Sequence, residues 1–293
     1  MVPHYYLYLL AFLLLLLLLH ILAAPLEINS TPYDLDVVTT LPSPRNDFLR
    51  IVSGVPARNN EFPYLVMLTR INGYVFCGGA LISNYYVLTA AHCLENKAAS
   101  GIVVRLGEYD WSTINDGFHV NFQVQNFILH PKFIRLVAYN DIAIIRLTSP
   151  VYQADTIKSI CLPPNKSFAG EKATVAGWGA TDINIGVPSH VLQKLDLQVL
   201  SQESCRSFFH GSSMYLNKDK LCAWAQNKDS CKGDSGGPLA WQNQSTKRHY
   251  LIGIISMGFR CGETNMPGLY TRITSYIDWI KSNTQNDTTI CWS

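Results

Sequence analysis

One serine lies in a short stretch that crowds two acids, a cysteine and three glycines around it: Asp229-Ser230-Cys231-Lys232-Gly233-Asp234-Ser235-Gly236-Gly237-Pro238. Glycines let a chain turn tightly, and such a turn brings main-chain N–H groups close to whatever the serine hydroxyl attacks. Alone, the stretch is equally compatible with an ordinary acidic loop. A serine hydroxyl is a poor nucleophile near neutral pH and needs a base. His92 offers one, at the end of Leu88-Thr89-Ala90-Ala91-His92-Cys93, where the neighbouring cysteine can pin the turn. Asp141 heads the apolar run Asn140-Asp141-Ile142-Ala143-Ile144-Ile145. A carboxylate buried there is costly without a hydrogen-bonding partner, and an imidazole N–H would serve. The three groups occur in the order His, Asp, Ser, and together they have the chemistry of a base-activated hydroxyl.

The elements that must position them are short and closely spaced. Apolar or alternating runs cover 64–69, 74–82, 86–90, 102–106, 118–128 and 142–147. A second set covers 173–177, 192–199, 220–222, 237–242, 250–257 and 268–272. Gly, Pro, Asn and Asp separate them, which favours a β-sandwich or barrel over alternating strands and helices. Only Ser275 to Lys281 reads as helix, with Tyr276, Trp279 and Ile280 on one face.

The ends of the chain say where it goes. Tyr5 to Ala24 is nearly all apolar, includes the leucine run Leu13 to Leu19, and closes on Ala23 and Ala24. Residues 1–24 are read as a secretory signal, with an uncleaved membrane anchor as the alternative because the run is long enough to span a bilayer. Residues 25–50 are rich in Pro, Ser, Thr, Asn and Asp and read as a flexible leader ending at Leu49-Arg50, where one basic residue meets Ile51-Val52-Ser53-Gly54. Eight cysteines fit an oxidising compartment, and none has the paired spacing of a zinc site. Sequons begin at Asn29, Asn165, Asn243 and Asn286 and mark candidate glycosylation sites. A net charge of +2 without a basic stripe gives no sign of nucleic-acid binding.

Ala90-Ala91-His92-Cys93, Asn140-Asp141-Ile142-Ala143 and Gly233-Asp234-Ser235-Gly236-Gly237-Pro238 resemble the three signature blocks of the chymotrypsin/trypsin family of serine endopeptidases, in that family's chain order. The resemblance runs from Ile51 to about Lys281. It implies an all-β fold of two packed six-stranded antiparallel Greek-key barrels with a C-terminal helix, 51–160 forming the first and 161–293 the second with helix and tail. It implies Ser235 as nucleophile, His92 as general base and acid, Asp141 as the group orienting His92, and the Gly233 and Ser235 N–H groups as the oxyanion hole. Asp229 matches the floor of the primary substrate pocket, where an acid selects Arg or Lys, and Ser256, Gly258 and Gly268 match positions along its walls. Asp234 matches the acid that pairs with the new amino terminus at Ile51 once the bond after Arg50 is cut, so the chain is expected to be a zymogen.

The same resemblance implies the disulfides Cys77–Cys93, Cys205–Cys222 and Cys231–Cys261, and leaves Cys161 and Cys291 to pair with each other, with an intermolecular partner for Cys291 as the alternative. Ala173 and Trp241 stand at the two positions of a further family bridge. Met257 replaces a family Trp, and Lys232 and Arg260 add positive charge at the rim, from which a preference for acidic residues flanking the scissile bond is expected. No metal or other cofactor is expected to be required. The stretch from Arg105 to Asp110 lies where some members bind calcium, with Glu108, Asp110 and Asp116 as candidate ligands but no evident second anchoring acid.

The wording of Leu106-Gly107-Glu108-Tyr109-Asp110 and Lys228-Asp229-Ser230-Cys231-Lys232 resembles arthropod haemolymph, developmental or venom proteases, here in a form without a clip domain. The resulting expectation is a secreted endopeptidase cutting after Arg or Lys in limited proteolysis. Its partners would be protein substrates, an upstream activating protease and protein inhibitors. The alternative is a catalytically silent homologue acting as a binding protein.

Overall fold

The computed structural model describes residues 54–180, 187–209, 216–225, 234–257 and 266–293, all within one compact unit, Asp47–Ser293. After the two-residue strand β1 (Val55–Pro56), six strands follow: β2 (Leu65–Arg70), β3 (Val75–Leu81), β4 (Tyr86–Thr89), β5 (Ile102–Leu106), β6 (Val120–Leu129) and β7 (Ala143–Leu147). They close into an antiparallel barrel in the order β2-β3-β4-β7-β6-β5. Closure leaves no free edge on which another chain could pair. The second set is β8 (Lys172–Gly177), β9 (Gln193–Val199), β10 (Lys220–Trp224), β11 (Pro238–Gln242), β12 (His249–Met257) and β13 (Gly268–Arg272). It runs β9-β10-β13-β12-β11-β8 and closes through the β8–β9 pairing, with β1 added alongside β9. The fold is therefore two closed six-stranded antiparallel barrels.

Side-chain alternation explains the barrel interiors. In β5, Ile102, Val104 and Leu106 are buried while Val103 and Arg105 are half-buried. In β9, Gln193, Leu195, Leu197 and Val199 point inward, and Asp196 and Gln198 are exposed. This is the period of two that a half-solvated pleated strand requires. One apolar cluster fills the first barrel and also takes in Trp178, Leu192, Ala240, Leu251 and Ile254 from the second. The two barrels thus share a packed junction. A separate cluster around Phe168, Trp241, Tyr250 and Tyr270 fills the second barrel.

Helices are more numerous than the sequence suggests. Besides α3 (Ile277–Asn283), the chain forms α1 (Ala91–Leu94) and α2 (Gln202–Phe208). The reason they escape notice is physical. Only Cys205 is buried in α2, so no apolar stripe develops, and the helix is set by its cap: the Ser201 hydroxyl accepts the Ser204 N–H at 3.0 Å. The C-terminal helix begins at Ile277 because Ile273–Ser275 forms a 3-10 turn ahead of it.

Among the described residues, three disulfides tie these parts together: Cys77–Cys93 joins β3 to α1, Cys205–Cys222 joins α2 to β10, and Cys161–Cys291 joins the stretch between the barrels to the tail beyond α3. The last closes the longest loop, with a sequence separation of 130 residues. Ala173 and Trp241 face each other across the β8–β11 pairing. Cys231 and Cys261 lie outside the described residues.

Candidate active site

The site is assembled where the barrels meet, and each member arrives on a different element. His92 lies in α1, directly after β4, and Cys93 beside it is bonded to Cys77. Asp141 precedes β7 and is fully buried. Its neighbour Asn140 has a left-handed backbone, φ 51°, which turns the chain into the strand. Ser235 sits in the turn before β11, and Gly236 after it has φ 81°. A Cβ on Gly236 would run into the Thr89 hydroxyl and the Gly78 carbonyl, so a side chain there is excluded both by conformation and by space.

Asp141 is held by four groups. Its Oδ1 accepts the His92 main-chain N–H at 2.9 Å, and its Oδ2 accepts His92 Nδ1–H at 2.7 Å and the Ser256 hydroxyl at 2.6 Å. The Asp141 carbonyl accepts from the Thr271 hydroxyl at 2.7 Å. Burial alone would raise this carboxyl. The His92 and Ser256 hydrogen bonds and the positive charges of His92 and Lys220 outweigh burial and hold it below its ordinary range. The bond at Nδ1 places the N–H of His92 on that nitrogen and leaves Nε2 as the basic atom.

Ser235 is anchored through its backbone, its carbonyl accepting the Gly78 N–H at 2.8 Å. Among the described residues no hydrogen bond joins its hydroxyl to His92. His92 Nε2 lies 3.8 Å from Cys93 Sγ. Hydrogen bonds of this kind are often open in free enzymes and close around substrate.

Asp234 is the second buried acid, only 3% exposed. Its Oδ1 accepts the Gly179 N–H at 2.8 Å, and a Cβ on either Gly177 or Gly179 would overlap its carboxylate. Ser256 is the extra residue at a bulge in β12, where Ile255 pairs with Tyr270 and Met257 with Leu269. A bulge re-aims a side chain, and here the Ser256 hydroxyl is turned onto Asp141. Gly268, buried at the start of β13, lies against the Tyr270 ring. Asn165 and Asn286 are exposed and Asn243 is half-buried. Arg50, Ile51, Asp229, Lys232, Gly233, Gly258, Arg260 and Asn29 lie outside the described residues.

Two contributors carry no obvious sequence signal. Lys220 is 2% exposed and donates from Nζ to Ser256 Oγ at 2.9 Å. Thr271 pairs with it across the β10–β13 ladder. A lysine opening a strand reads as a solvated strand end, and only the three-dimensional pairing reveals otherwise.

The calcium candidates do not converge. Glu108 is buried and already engaged by Arg105 at 3.0 Å and His119 at 3.4 Å. Asp110 accepts from Ser112, and Asp116 accepts the Asp110 N–H. With its anchoring acid buried and already paired with the Arg105 guanidinium, this loop does not fit a calcium site. Among the described residues, the one cluster of metal-ligand types is Cys77, His92 and Cys93, and both cysteines are consumed in a disulfide.

Paired closed barrels with a buried acid, a histidine and a serine at their junction define a trypsin-like fold. A family model described as Trypsin matches residues 51–280. The chain is 40% identical over 244 residues to "Venom serine protease 34" of Apis mellifera, covering 80% of this chain and 58% of that protein. It is 36% identical over 251 residues to "Clotting factor G beta subunit" of Tachypleus tridentatus, covering 80% of each. It is 35% identical over 242 residues to "Anionic trypsin" of Canis lupus familiaris, covering 82% of this chain and 92% of that one. The chain thus spans little more than half the length of the bee protein. The chain belongs to the trypsin family of serine proteases.

Proposed function

We propose that the protein is a secreted trypsin-like endopeptidase, made as a zymogen and activated by cleavage between Arg50 and Ile51, that hydrolyses peptide bonds after Arg or Lys. The observation that carries the reading is the fully buried Asp141 carboxylate bonded at 2.7 Å to His92 Nδ1, with Ser235 on the neighbouring turn. In this reading His92 Nε2 takes the Ser235 proton as the hydroxyl attacks the scissile carbonyl, and later returns it to the leaving amine. Asp141 keeps the imidazole in the required tautomer and stabilises the imidazolium. The N–H groups of Gly233 and Ser235 hold the oxyanion.

Asp229 at the base of the specificity pocket, with Gly258 and Gly268 on its walls, accounts for selection of a long basic residue. Activation works through Asp234: the amino group of Ile51, freed by cleavage, pairs with the carboxylate lodged beside Gly177 and Gly179. The rim charges Lys232 and Arg260 favour substrates with acidic residues beside the scissile bond. A signal at 1–24, a leader at 25–50, and three disulfides support delivery to the extracellular space, where Asn29, Asn165, Asn243 and Asn286 are glycosylation sites. Relatives named as a proclotting enzyme and a phenoloxidase-activating factor favour limited, cascade-type proteolysis, with an upstream protease as activator and protein inhibitors as regulators.

The alternative is a silent homologue acting by binding, in which the Ser235 hydroxyl never closes onto His92. Treatment of the chain, cut after Arg50, with a fluorophosphonate probe separates the two. Labelling at Ser235 together with cleavage of Arg-containing peptides is the expected result, and an unlabelled, correctly cut protein would leave the binding reading standing.

A further inference from the structure

An ammonium group buried beneath the histidine–aspartate pair has no part in the mechanism just given. Lys220 opens β10, is 2% exposed, and its side chain makes one hydrogen bond among the described residues, to Ser256 Oγ at 2.9 Å. Ser256 Oγ in turn lies 2.6 Å from Asp141 Oδ2, the same oxygen that accepts His92 Nδ1–H at 2.7 Å. An ammonium can only donate, whereas a hydroxyl has a single proton to give. With Lys220 charged, the Ser256 oxygen must accept from it, and the hydroxyl proton has no choice but to point at Asp141. A neutral amine could accept that proton instead and let the hydroxyl turn away. The charge of Lys220 therefore decides how many donors Asp141 has, as well as adding a cation to its surroundings.

We propose that Lys220 is a positioning residue for the His92–Asp141 pair: its buried ammonium locks Ser256 as a donor to Asp141 and opposes formation of the His92 imidazolium, which extends the working range of the site to more acid pH. This rests on the assignment of His92 and Asp141 to catalysis given above.

Two acids act on the ammonium, and the other charged or titratable groups of this region come from several elements. Asp141 ahead of β7 and Asp219 beside Lys220 itself both favour the charged form, and burial opposes them more strongly, bringing the lysine down to about 8. Arg272 on β13 donates to the Lys220 carbonyl at 2.8 Å and is countered by Asp219. Tyr276, ahead of α3, stays a neutral phenol because burial and both acids resist its ionisation. His130, at the end of β6, is held down by burial and by Lys132, with Asp219 pulling the other way. Of these groups, Lys220 is the one whose charge changes on the alkaline side of neutrality.

The test is the pH profile of kcat/KM on an Arg-containing peptide, with the full chain cut after Arg50. Lys220→Met should move the acid limb upward by about one pH unit, the order expected when a cation linked to His92 through Ser256 and Asp141 is lost. Lys220→Arg, which keeps a cation that does not titrate, should restore the wild-type limb. A lysine that merely fills space would move neither, and an acid limb unchanged in an active Lys220→Met enzyme overturns the proposal. Should neither variant fold, the wild type decides. Its kcat/KM should climb a second time, about threefold, as Lys220 loses its charge near pH 8, with the lysine titration followed by heteronuclear NMR. A flat profile through that lysine transition overturns it. An unlabelled wild type with the fluorophosphonate probe would instead sink the protease reading, and this proposal with it.

Discussion

Two buried carboxylates stand a few residues from the chemistry, and they are held in opposite ways. Asp141 is saturated by side chains and main chain from three elements: His92 of α1 twice, Ser256 of β12, and Thr271 of β13 on its carbonyl. Asp234 lies in a cradle of glycine backbone, with Gly179 N–H as donor and no room for a Cβ at 177 or 179. Four hydrogen bonds fix the orientation of Asp141. In the activation proposed above, Asp234 is the acid that changes partner when the Ile51 amino group is freed. The pair thus divides the site into a permanent part and a conditional part.

Asp141→Asn breaks the permanent part most severely. An amide retains the shape but presents an N–H toward His92 and favours the wrong tautomer. A loss of kcat on the order of 10⁴-fold at neutral pH is expected, the loss such triads show when the orienting acid becomes an amide, with thermal unfolding little changed. The conditional part is broken by Arg50→Gln, which blocks release of the Ile51 amino group. Leaving a buried carboxylate without its cationic partner costs about 3 to 5 kcal/mol, so turnover should fall at least on the order of 100-fold. A steady-state assay in which the uncut variant matched the cut wild type would remove the distinction between the two acids.

Gly179→Ala sharpens the same contrast on a smaller scale. Its methyl group would overlap the Asp234 carboxylate, an overpacking worth about 1 to 3 kcal/mol. Activity should drop together with stability. An alanine at Gly170, where a Cβ would meet no atom within 4 Å, should touch stability alone through the positive φ of 82°. Denaturant melts paired with kcat/KM distinguish the two.

The permanent part is the more legible in sequence. His92 and Asp141 each border an apolar strand, and an acid heading Ile142-Ala143-Ile144-Ile145 announces that it needs a partner. Strand positions follow from alternation and from Gly, Pro and Asn punctuation, within one or two residues at most boundaries. What stays hidden depends on contacts between segments far apart in the chain. Ser256 reads as a pocket-wall residue, but a bulge in β12 turns its hydroxyl onto Asp141, 115 residues away. Lys220 at the head of β10 looks like a solvated strand end because nothing local says that β13 and Asp141 will cover it. The helix α2 is set by a single capping hydroxyl and buries one residue, too little for a periodic signal.

Lys220 also gives the comparison its finest test, because a buried ammonium that serves the permanent part should be a burden on the fold. Its folded-state value of about 8 lies below the ordinary 10.5, so the native protein binds fewer protons than the unfolded chain between those two pH values. Stability of the wild type should therefore rise as pH climbs from 8 to 10.5, and below 8 the full penalty of about 3 kcal/mol is in force. Lys220→Met removes that penalty and forfeits the hydrogen bond to Ser256, worth about 1 kcal/mol. The variant should accordingly be more stable than wild type by about 2 kcal/mol near neutrality. The advantage should shrink through the alkaline window and vanish or reverse near its upper end. Denaturant melts at several pH values between about 6 and 11 measure it, on the order of one melt per pH unit. A variant no more stable at neutral pH would mean that Asp141 and Asp219 already stabilise the ammonium fully, and that the fold carries this charge at no cost.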